Sequence, residues 1–286
     1  MLNIQKNTKL APHTTFRIGG PADFFVEIKN PDELVEAVLW AKEKKIKYFI
    51  LGGGSNILFS DDGYRGLVIK IASKRVELVK NNLIIADAGV NLSQLVKFST
   101  DNNLSGLEWA AGIYGTLGGA IFGNAGANGG CMADIVEEVE IFDGKKIKIF
   151  KNKNLDFKYR FSSIKKGSVI VSAKLKLKKG DKQTSEKLIK KYLKERSEKQ
   201  PKGFCAGSIF KNPKSKKYIS AGWLIEQCGL KGLKIGQAQI SEQHANFIIN
   251  LGGAKASDVL GLIEKVKKEV EGKFGVKLRE ELNIIG

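Results

Sequence analysis

Glycine placement restricts this chain more than any other feature: 32 of its 286 residues are glycine, and they cluster rather than repeat. An average protein carries about 7% glycine. Clusters without a Gly-X-Y period exclude a collagen-like or low-complexity chain, and they mark places where backbone must approach something closely. The first cluster is Gly52-Gly53-Gly54-Ser55-Asn56-Ile57, directly after the strand-like run Lys47–Leu51. Consecutive glycines can form a nest of N–H groups that suits a phosphate; a tight turn also accounts for them. The run is not a Rossmann fingerprint, because Ile57 stands where the third glycine should be, and no Walker A sequence occurs. The second cluster contains Gly112, Gly115, Thr116, Gly118, Gly119, Asn124, Gly126, Ala127, Gly129 and Gly130. Packing alone does not explain it, and Thr116 and Asn124 add hydrogen-bonding side chains. Two such loops can grip one pyrophosphate from both sides. With Arg17, Gly19 and Gly20 near the start, they suggest a long dinucleotide lying across a groove.

The chain is long enough for two or three domains at about 150 residues each. Its formal charge of +18 fits anionic partners: nucleic acid, an anionic membrane surface or phosphorylated small molecules. Much of that charge also reads as solvated helix faces, such as Lys42–Lys45 and Lys187–Lys199. The three cysteines, Cys131, Cys205 and Cys228, form no CxxC, which argues against a disulfide framework and a zinc site; the expectation is structural thiols and no metal. No signal-peptide pattern is seen, and no apolar run reaches the roughly 20 residues of a membrane helix. A cytoplasmic protein without membrane contact is expected.

Ala22–Ile28 reads as a strand, Asn30-Pro31 as a helix start, and Leu34, Val38 and Ala41 as the buried face of that helix. Gly66–Ile71 and Leu83–Ala88 read as strands, and Asn91 as the cap of a helix running to about Asp101. Asp143-Gly144 is a hairpin turn between Ile135–Phe142 and Lys146–Phe150. Val169–Leu177 alternates as a half-buried strand, with Lys174 and Lys176 on the polar face. The segment 183–199 is a polar helix or linker. Ser220 caps a short helix stopped by Gly229. Phe247–Asn250 is a strand, Ser257 caps a long helix ending at Gly275, and Val276–Ile285 is a final strand. The class is α+β.

At this point the chain resembles the UDP-N-acetylenolpyruvoylglucosamine reductases, whose FAD-binding fold is shared with vanillyl-alcohol oxidase. The carriers are Thr14–Gly20, Gly52–Asn56, Gly112–Ala127, Tyr159-Arg160, Gly207-Ser208-Ile209-Phe210-Lys211-Asn212-Pro213 and Ser241–Ile248. The stretch from Arg160 to Ser208 is short, similar to the family type without a tyrosine-bearing insertion. The resemblance implies two FAD-binding subdomains, 1–72 and 73–197, and a substrate-binding domain, 198–286, whose last strand packs back on the first. FAD would be held without a covalent link by Arg17, Gly19, Gly52, Gly53, Gly54, Ser55, Asn56, Ile57, Gly112, Gly115, Thr116, Gly118, Gly119, Asn124, Gly126 and Ala127. Hydride would pass from NADPH to FAD and on to the enolpyruvyl double bond of UDP-N-acetylglucosamine enolpyruvate, a step in peptidoglycan precursor synthesis.

The same resemblance implies Ser208 as proton donor, Arg160 as the carboxylate grip and Glu281 as the acidic partner that stabilises the enolate. Tyr159, Lys211, Asn212 and Gln239 would contact substrate. His244 can be read as a general acid or as a structural histidine, and the structural role is expected. Two positions depart from the family pattern: Tyr114 replaces a usual proline, and Asn283 a usual arginine. A flavin-dependent alcohol or sugar oxidase of the same fold is the alternative, but it gives no reason for the Gly207–Pro213 run together with Glu281. A nucleic-acid-binding protein would cluster its basic residues among exposed aromatics; here they are dispersed. A monomer is expected.

Overall fold

Asn30 ends one strand and starts the first helix. Its Oδ1 accepts the Glu33 N–H at 2.9 Å, and Glu33 returns a carboxylate oxygen to the Lys29 N–H at 2.6 Å. Pro31 occupies the first turn, where a missing N–H costs nothing. Helix α1 (Pro31–Glu43) buries Leu34, Val38 and Ala41, as the periodicity predicts, and Ala37 beside them. The computed structural model describes residues 2–80, 82–165, 167–214 and 219–286. The chain forms two units. Unit 1 comprises residues 1–6, 24–53 and 66–196; unit 2 comprises residues 7–23, 54–65 and 197–286.

In unit 1, five antiparallel strands lie in the order Ile147–Lys151, Val136–Phe142, Val169–Lys176, Leu83–Asp87 and Val76–Lys80. The hairpin at Asp143 forms as expected: its carboxylate accepts the N–H groups of Lys145 and Lys146, both at 2.9 Å. The Val169–Lys176 strand corrects the half-buried reading. Ile170 and Ser172 are buried as well as Val169, Val171 and Ala173, because this strand is the central one of the sheet and both faces are covered. Alternation is legible only where one face meets water. Tyr48–Leu51 pairs in parallel with residues 67–70. Helices α2 (Leu92–Asp101) and α3 (Leu117–Phe122) bury Leu92, Leu95 and Val96, and Leu117, Ala120 and Ile121. The polar segment is a helix, α4 (Lys182–Lys199). Its foothold is Ser185, whose hydroxyl donates to buried Glu108 Oε1 at 2.6 Å, while Glu108 Oε2 accepts the Gly106 N–H at 2.7 Å.

Unit 2 holds helices α5 (Ala221–Gln227) and α6 (Ala256–Phe274) and a sheet of Lys234–Ile235, Ala238–Ile240 and Ile248–Asn250. Ser220 Oγ accepts the Trp223 N–H at 3.1 Å, so that cap is where the sequence puts it. The start of α6 is not. Ser257 lies inside the helix, and the first two free N–H groups, those of Ala256 and Ser257, donate to Asp61 Oδ1 at 2.7 Å and Oδ2 at 3.0 Å. The capping carboxylate comes from far away in the chain, where local reading cannot see it. The final strand is also shorter than expected. Only Asn283–Ile285 is a strand, parallel to Ile57–Phe59. Residues before it make a single bridge, Glu280 with Phe210.

Among the described residues no helix is long and apolar enough to cross a membrane, and no group of three or more His, Cys, Asp or Glu side chains could hold a metal ion. Removing the Asp61 carboxylate by Asp61→Ala strands two helix N–H groups and is expected to cost about 0.5–2 kcal/mol. Hydrogen exchange checks it: the Ala256 and Ser257 amides should exchange faster while the middle of α6 stays protected. Unchanged exchange there would refute the cap.

Candidate active site

In unit 1 the two glycine loops lie against each other. A Cβ on Gly53 would stand 2.9 Å from Gly115 Cα, and one on Gly52 would stand 2.5 Å from Thr116 Oγ1. The Gly115 backbone thus leaves no room for a side chain at residue 53, one at residue 52 would press on the Thr116 hydroxyl, and Gly54, at φ +63°, takes a turn conformation. Thr116 is 5% exposed, and its hydroxyl oxygen is buried without a hydrogen-bond partner. Gly118 closes on Ala88 at 2.8 Å, which seats α3 on the sheet, whereas Gly119 is exposed. A Cβ on Gly112 would stand 2.8 Å from Arg196 Cδ, and burial lowers the pKa of that guanidinium. Tyr114, at the departure from the family pattern, is 80% exposed on the same loop.

Arg160 joins this group. Lys158 and Phe161 exchange backbone hydrogen bonds of 3.0 Å, leaving Tyr159 and Arg160 as the two central residues of a turn. Arg160 has φ +54°, the left-handed value that the second central position of such a turn can demand. Its Nη1 donates to the Gly126 carbonyl at 3.1 Å, and its guanidinium carbon sits 5.3 Å from the centre of the Tyr159 ring. Asn124 ties the same pieces together: Nδ2 donates to the Lys158 carbonyl at 3.0 Å and Oδ1 accepts the Ala133 N–H at 3.0 Å. Ala127 pairs with Gly130 in the hairpin that follows. Arg160, Tyr159, Asn124, Gly126 and Ala127 are thus one construction.

Unit 2 brings together Ser208, Glu281 and Asn56. The Glu281 N–H donates to the carbonyl of Ile209, the residue after Ser208, at 2.8 Å, and the Lys211 N–H donates to the Arg279 carbonyl at 2.9 Å. Asn56 Nδ2 donates to the Glu281 carbonyl at 3.0 Å. The Asn56 carbonyl accepts both the backbone N–H and the side-chain Nδ2 of Asn283, each at 3.1 Å. Asn283, where the family pattern has arginine, is therefore occupied in holding the glycine loop. Asn56 Oδ1 is buried without a partner. Gly54 packs on His13, and its carbonyl accepts the Thr15 N–H at 3.1 Å; Ser55 and Ile57 lead from it into the strand. Arg17 is exposed, donates to the Pro12 carbonyl at 2.8 Å and lies 5.7 Å from the centre of the Phe204 ring. Gly19 abuts Phe59. Asn212 Oδ1 accepts the first N–H of α5, from Ala221, at 3.0 Å, and Gln239 Nε2 donates to the Gly232 carbonyl at 3.3 Å. Both side chains have structural bonds that the sequence did not disclose.

His244 takes the structural role. Its Nδ1 accepts the Asn246 N–H at 3.2 Å, its ring meets Phe247 edge-on at 4.8 Å, and burial holds its pKa below the usual value, with Lys231 adding to the effect and Glu226 opposing it. The cysteines are free thiols, each with its pKa raised chiefly by burial. Sequence reasoning missed Asn246 and Asn250. Asn250 is buried; its Nδ2 donates to the Phe16 carbonyl at 3.0 Å and its Oδ1 accepts the Gly252 and Ala254 N–H groups. A buried asparagine at each end of an apolar run was the available signal, since a buried amide must find partners.

A family model described as FAD binding domain matches residues 22–146, and one described as UDP-N-acetylenolpyruvoylglucosamine reductase, C-terminal domain, matches residues 200–285. The UDP-N-acetylenolpyruvoylglucosamine reductase of Caldanaerobacter subterraneus subsp. tengcongensis is 44% identical over 98% of this chain and 93% of its own. That of Anoxybacillus flavithermus is 42% identical over 99% and 94%. The crystal structure of the enzyme of that name from Thermus caldophilus superposes with a TM-score of 0.84 at 35% identity, covering 100% of this chain and 99% of that one. The fold is α+β, of the FAD-binding type that the sequence led us to expect.

Two measurements check the site. Gly53→Val drives a branched side chain into Gly115, and the purified variant is expected to come off the column without bound flavin; a yellow, fully loaded variant would remove the loop from the site. For His244 the folded pKa lies below the unfolded value of about 6.5, so the unfolded chain takes up the proton first as pH falls. Stability should therefore decline from about pH 6.5 downward, above the more acidic range in which carboxylates such as Asp101, held at about 2 chiefly by Lys182 and Lys97, are titrated. Urea midpoints at pH 7.5 and 5.5 should differ less for His244→Gln than for the parent; equal differences would contradict this.

Proposed function

Because the chain belongs to the UDP-N-acetylenolpyruvoylglucosamine reductase family, we propose that it reduces UDP-N-acetylglucosamine enolpyruvate to UDP-N-acetylmuramate, using NADPH and a non-covalently held FAD, for peptidoglycan precursor synthesis. The observation that carries this reading is the side-by-side hydrogen bonding of the Ser208 and Glu281 segments, in a chain that matches the family over nearly its whole length. We assign 1–72 and 73–197 to holding FAD and 198–286 to the substrate. The protein acts as a monomer in the cytoplasm on a soluble nucleotide sugar, and its excess positive charge serves anionic ligands rather than nucleic acid or a membrane.

The residues present fit a pyrophosphate-bearing cofactor. Consecutive glycines at Gly52 and Gly53, packed against Gly115 and Thr116, suit a backbone nest for an anion, and the buried hydroxyl oxygen of Thr116 is without a hydrogen-bond partner. Arg17, Gly19, Gly54, Ser55, Asn56, Ile57, Gly112, Gly118, Gly119, Asn124, Gly126 and Ala127 complete the set proposed to hold FAD. When bound, FAD supplies hydride transfer between the nicotinamide and the enolpyruvyl carbon. The protein's own task is to bind, polarise and protonate.

Hydride addition to one alkene carbon sends negative charge onto its neighbour and the attached carboxylate, and that charge needs donors in place beforehand. Arg160 grips the carboxylate, its planar fork matching two oxygens. The Ser208 hydroxyl delivers the proton to the charged carbon, with Lys211 nearby in sequence to make a weak acid competent. Glu281 supports the enolate, protonated or sharing a proton in that role, since a bare carboxylate would repel the developing charge. Tyr159, Lys211, Asn212 and Gln239 bind the nucleotide sugar.

Ser208→Ala is expected to slow reoxidation of the reduced flavin by the enolpyruvyl sugar at least ~10²-fold, the low end for a general acid, and to leave flavin reduction by NADPH nearly intact. Stopped-flow with the two substrates added in sequence measures both. Equal losses in the two halves would make Ser208 structural.

A further inference from the structure

The segment that carries Ser208 has little regular structure of its own. Gly207 precedes it with φ +74°, and among the described residues its strand-like pairing is limited to single bridges, Ser208 with Phe247 and Phe210 with Glu280. No ladder runs through it. Yet a proton donor must be held within a few tenths of an ångström, since small misplacements cost large factors in rate.

One buried side chain supplies the missing partner. Asn246 is 5% exposed. Its Oδ1 accepts the Phe210 N–H at 2.9 Å and its Nδ2 donates to the Phe210 carbonyl at 2.8 Å. Its backbone carbonyl accepts the Ile209 N–H at 2.9 Å, and its own N–H is spent on His244 Nδ1 at 3.2 Å. A single amide thus satisfies both main-chain groups of Phe210, as a neighbouring strand would. It fixes the backbone two residues after Ser208 and one before Lys211. The Ile209 carbonyl, on the other side, accepts Glu281 at 2.8 Å and Leu282 at 3.3 Å. The segment is clamped between Asn246 and the chain at Glu281.

We propose that Asn246 is the positioning residue for the Ser208 hydroxyl, an inference that rests on the reading of Ser208 as proton donor. The amide acts through Ser208 and touches neither cofactor nor substrate. Truncation to alanine leaves two buried main-chain groups without partners and lets the segment shift. Aspartate keeps the volume, but when ionised it offers a second acceptor to the Phe210 carbonyl where a donor is needed.

The test is a double-mutant cycle read in the two half-reactions of the flavin-loaded enzyme. Asn246→Ala should slow substrate-driven flavin reoxidation by at least about 10-fold and change flavin reduction by NADPH by less than about 2-fold. In the Ser208→Ala background the same change should have almost no further effect, because residues acting as one unit are non-additive. Asn246→Asp, measured alongside, should follow the same pattern and keeps the test sharp if the alanine variant does not fold. Independent, multiplying losses in the cycle overturn the proposal, as does equal slowing of both half-reactions. If Ser208→Ala alone leaves reoxidation at the parent rate, the reading of Ser208 fails and the role of Asn246 falls with it. That result differs from a cycle in which Ser208→Ala is slow and Asn246→Ala adds to it.

Discussion

The carbonyl of Ile209 is the fixed point of unit 2. It accepts the N–H groups of Glu281 and Leu282, and the Glu281 carbonyl is in turn held by Asn56 Nδ2. Each such bond is worth only about 1 kcal/mol net. Their effect is less on total stability than on register: the end of the chain can lie in one way only. Once Glu281 is fixed against residue 209, Asn283 must meet Asn56, and Asn283–Ile285 must run parallel to Ile57–Phe59. The glycine turn at Gly54, the strand at Ile57 and the acid at Glu281 are then parts of one body, assembled from three distant stretches of sequence.

How much of this was legible depends on the range of the forces involved. Helix α1 was readable because Asn30, Pro31 and Glu33 act within a few residues of one another, and its apolar face repeats at helical spacing. The Asp143 hairpin was readable for the same reason. The start of α6 was not, since its cap is Asp61 and the decisive partner is distant. Nor was the double burial of Val169–Ala173, which follows from the strand's central place in the sheet rather than from its own composition. The final strand was overread because Val276-Lys277-Leu278-Arg279 alternates apolar and charged residues as a strand does, but residues 279–282 spend their backbone on isolated bonds to residues 209 and 211.

The site divides in the same way. Gly52 and Gly53 announced themselves, because removing a side chain is a visible signal and the structure shows Thr116 and Gly115 standing where their side chains would be. Ser208, Arg160 and Glu281 are ordinary residues in a single sequence, and only their resemblance to a family's pattern singled them out. The geometry adds what that pattern could not give. Arg160 stands at a left-handed turn position and leans on Gly126, so its placement is a property of the second glycine loop and not of its own strand. Asn212 and Gln239, read from the family as substrate contacts, also hold α5 and the Gly232 carbonyl. A side chain already bonded to its own framework presents a pre-oriented remaining valence, which lowers the ordering cost of binding.

The charge excess has a similar logic. The chain has 48 basic and 30 acidic side chains, so even complete pairing would leave eighteen cations over. The pairs that form are mostly at the surface, such as Lys97 with Asp101 at 2.6 Å and Lys265 with Glu269 at 2.9 Å, where water and salt weaken them. They do little for stability. A broad positive field raises the local concentration of anionic ligands without selecting among them. Under the proposed function, selection comes from short-range features: glycine backbone for a pyrophosphate, a guanidinium for a carboxylate. At Asn283, where the family pattern places a cation, the backbone N–H and the side-chain Nδ2 both donate to the Asn56 carbonyl.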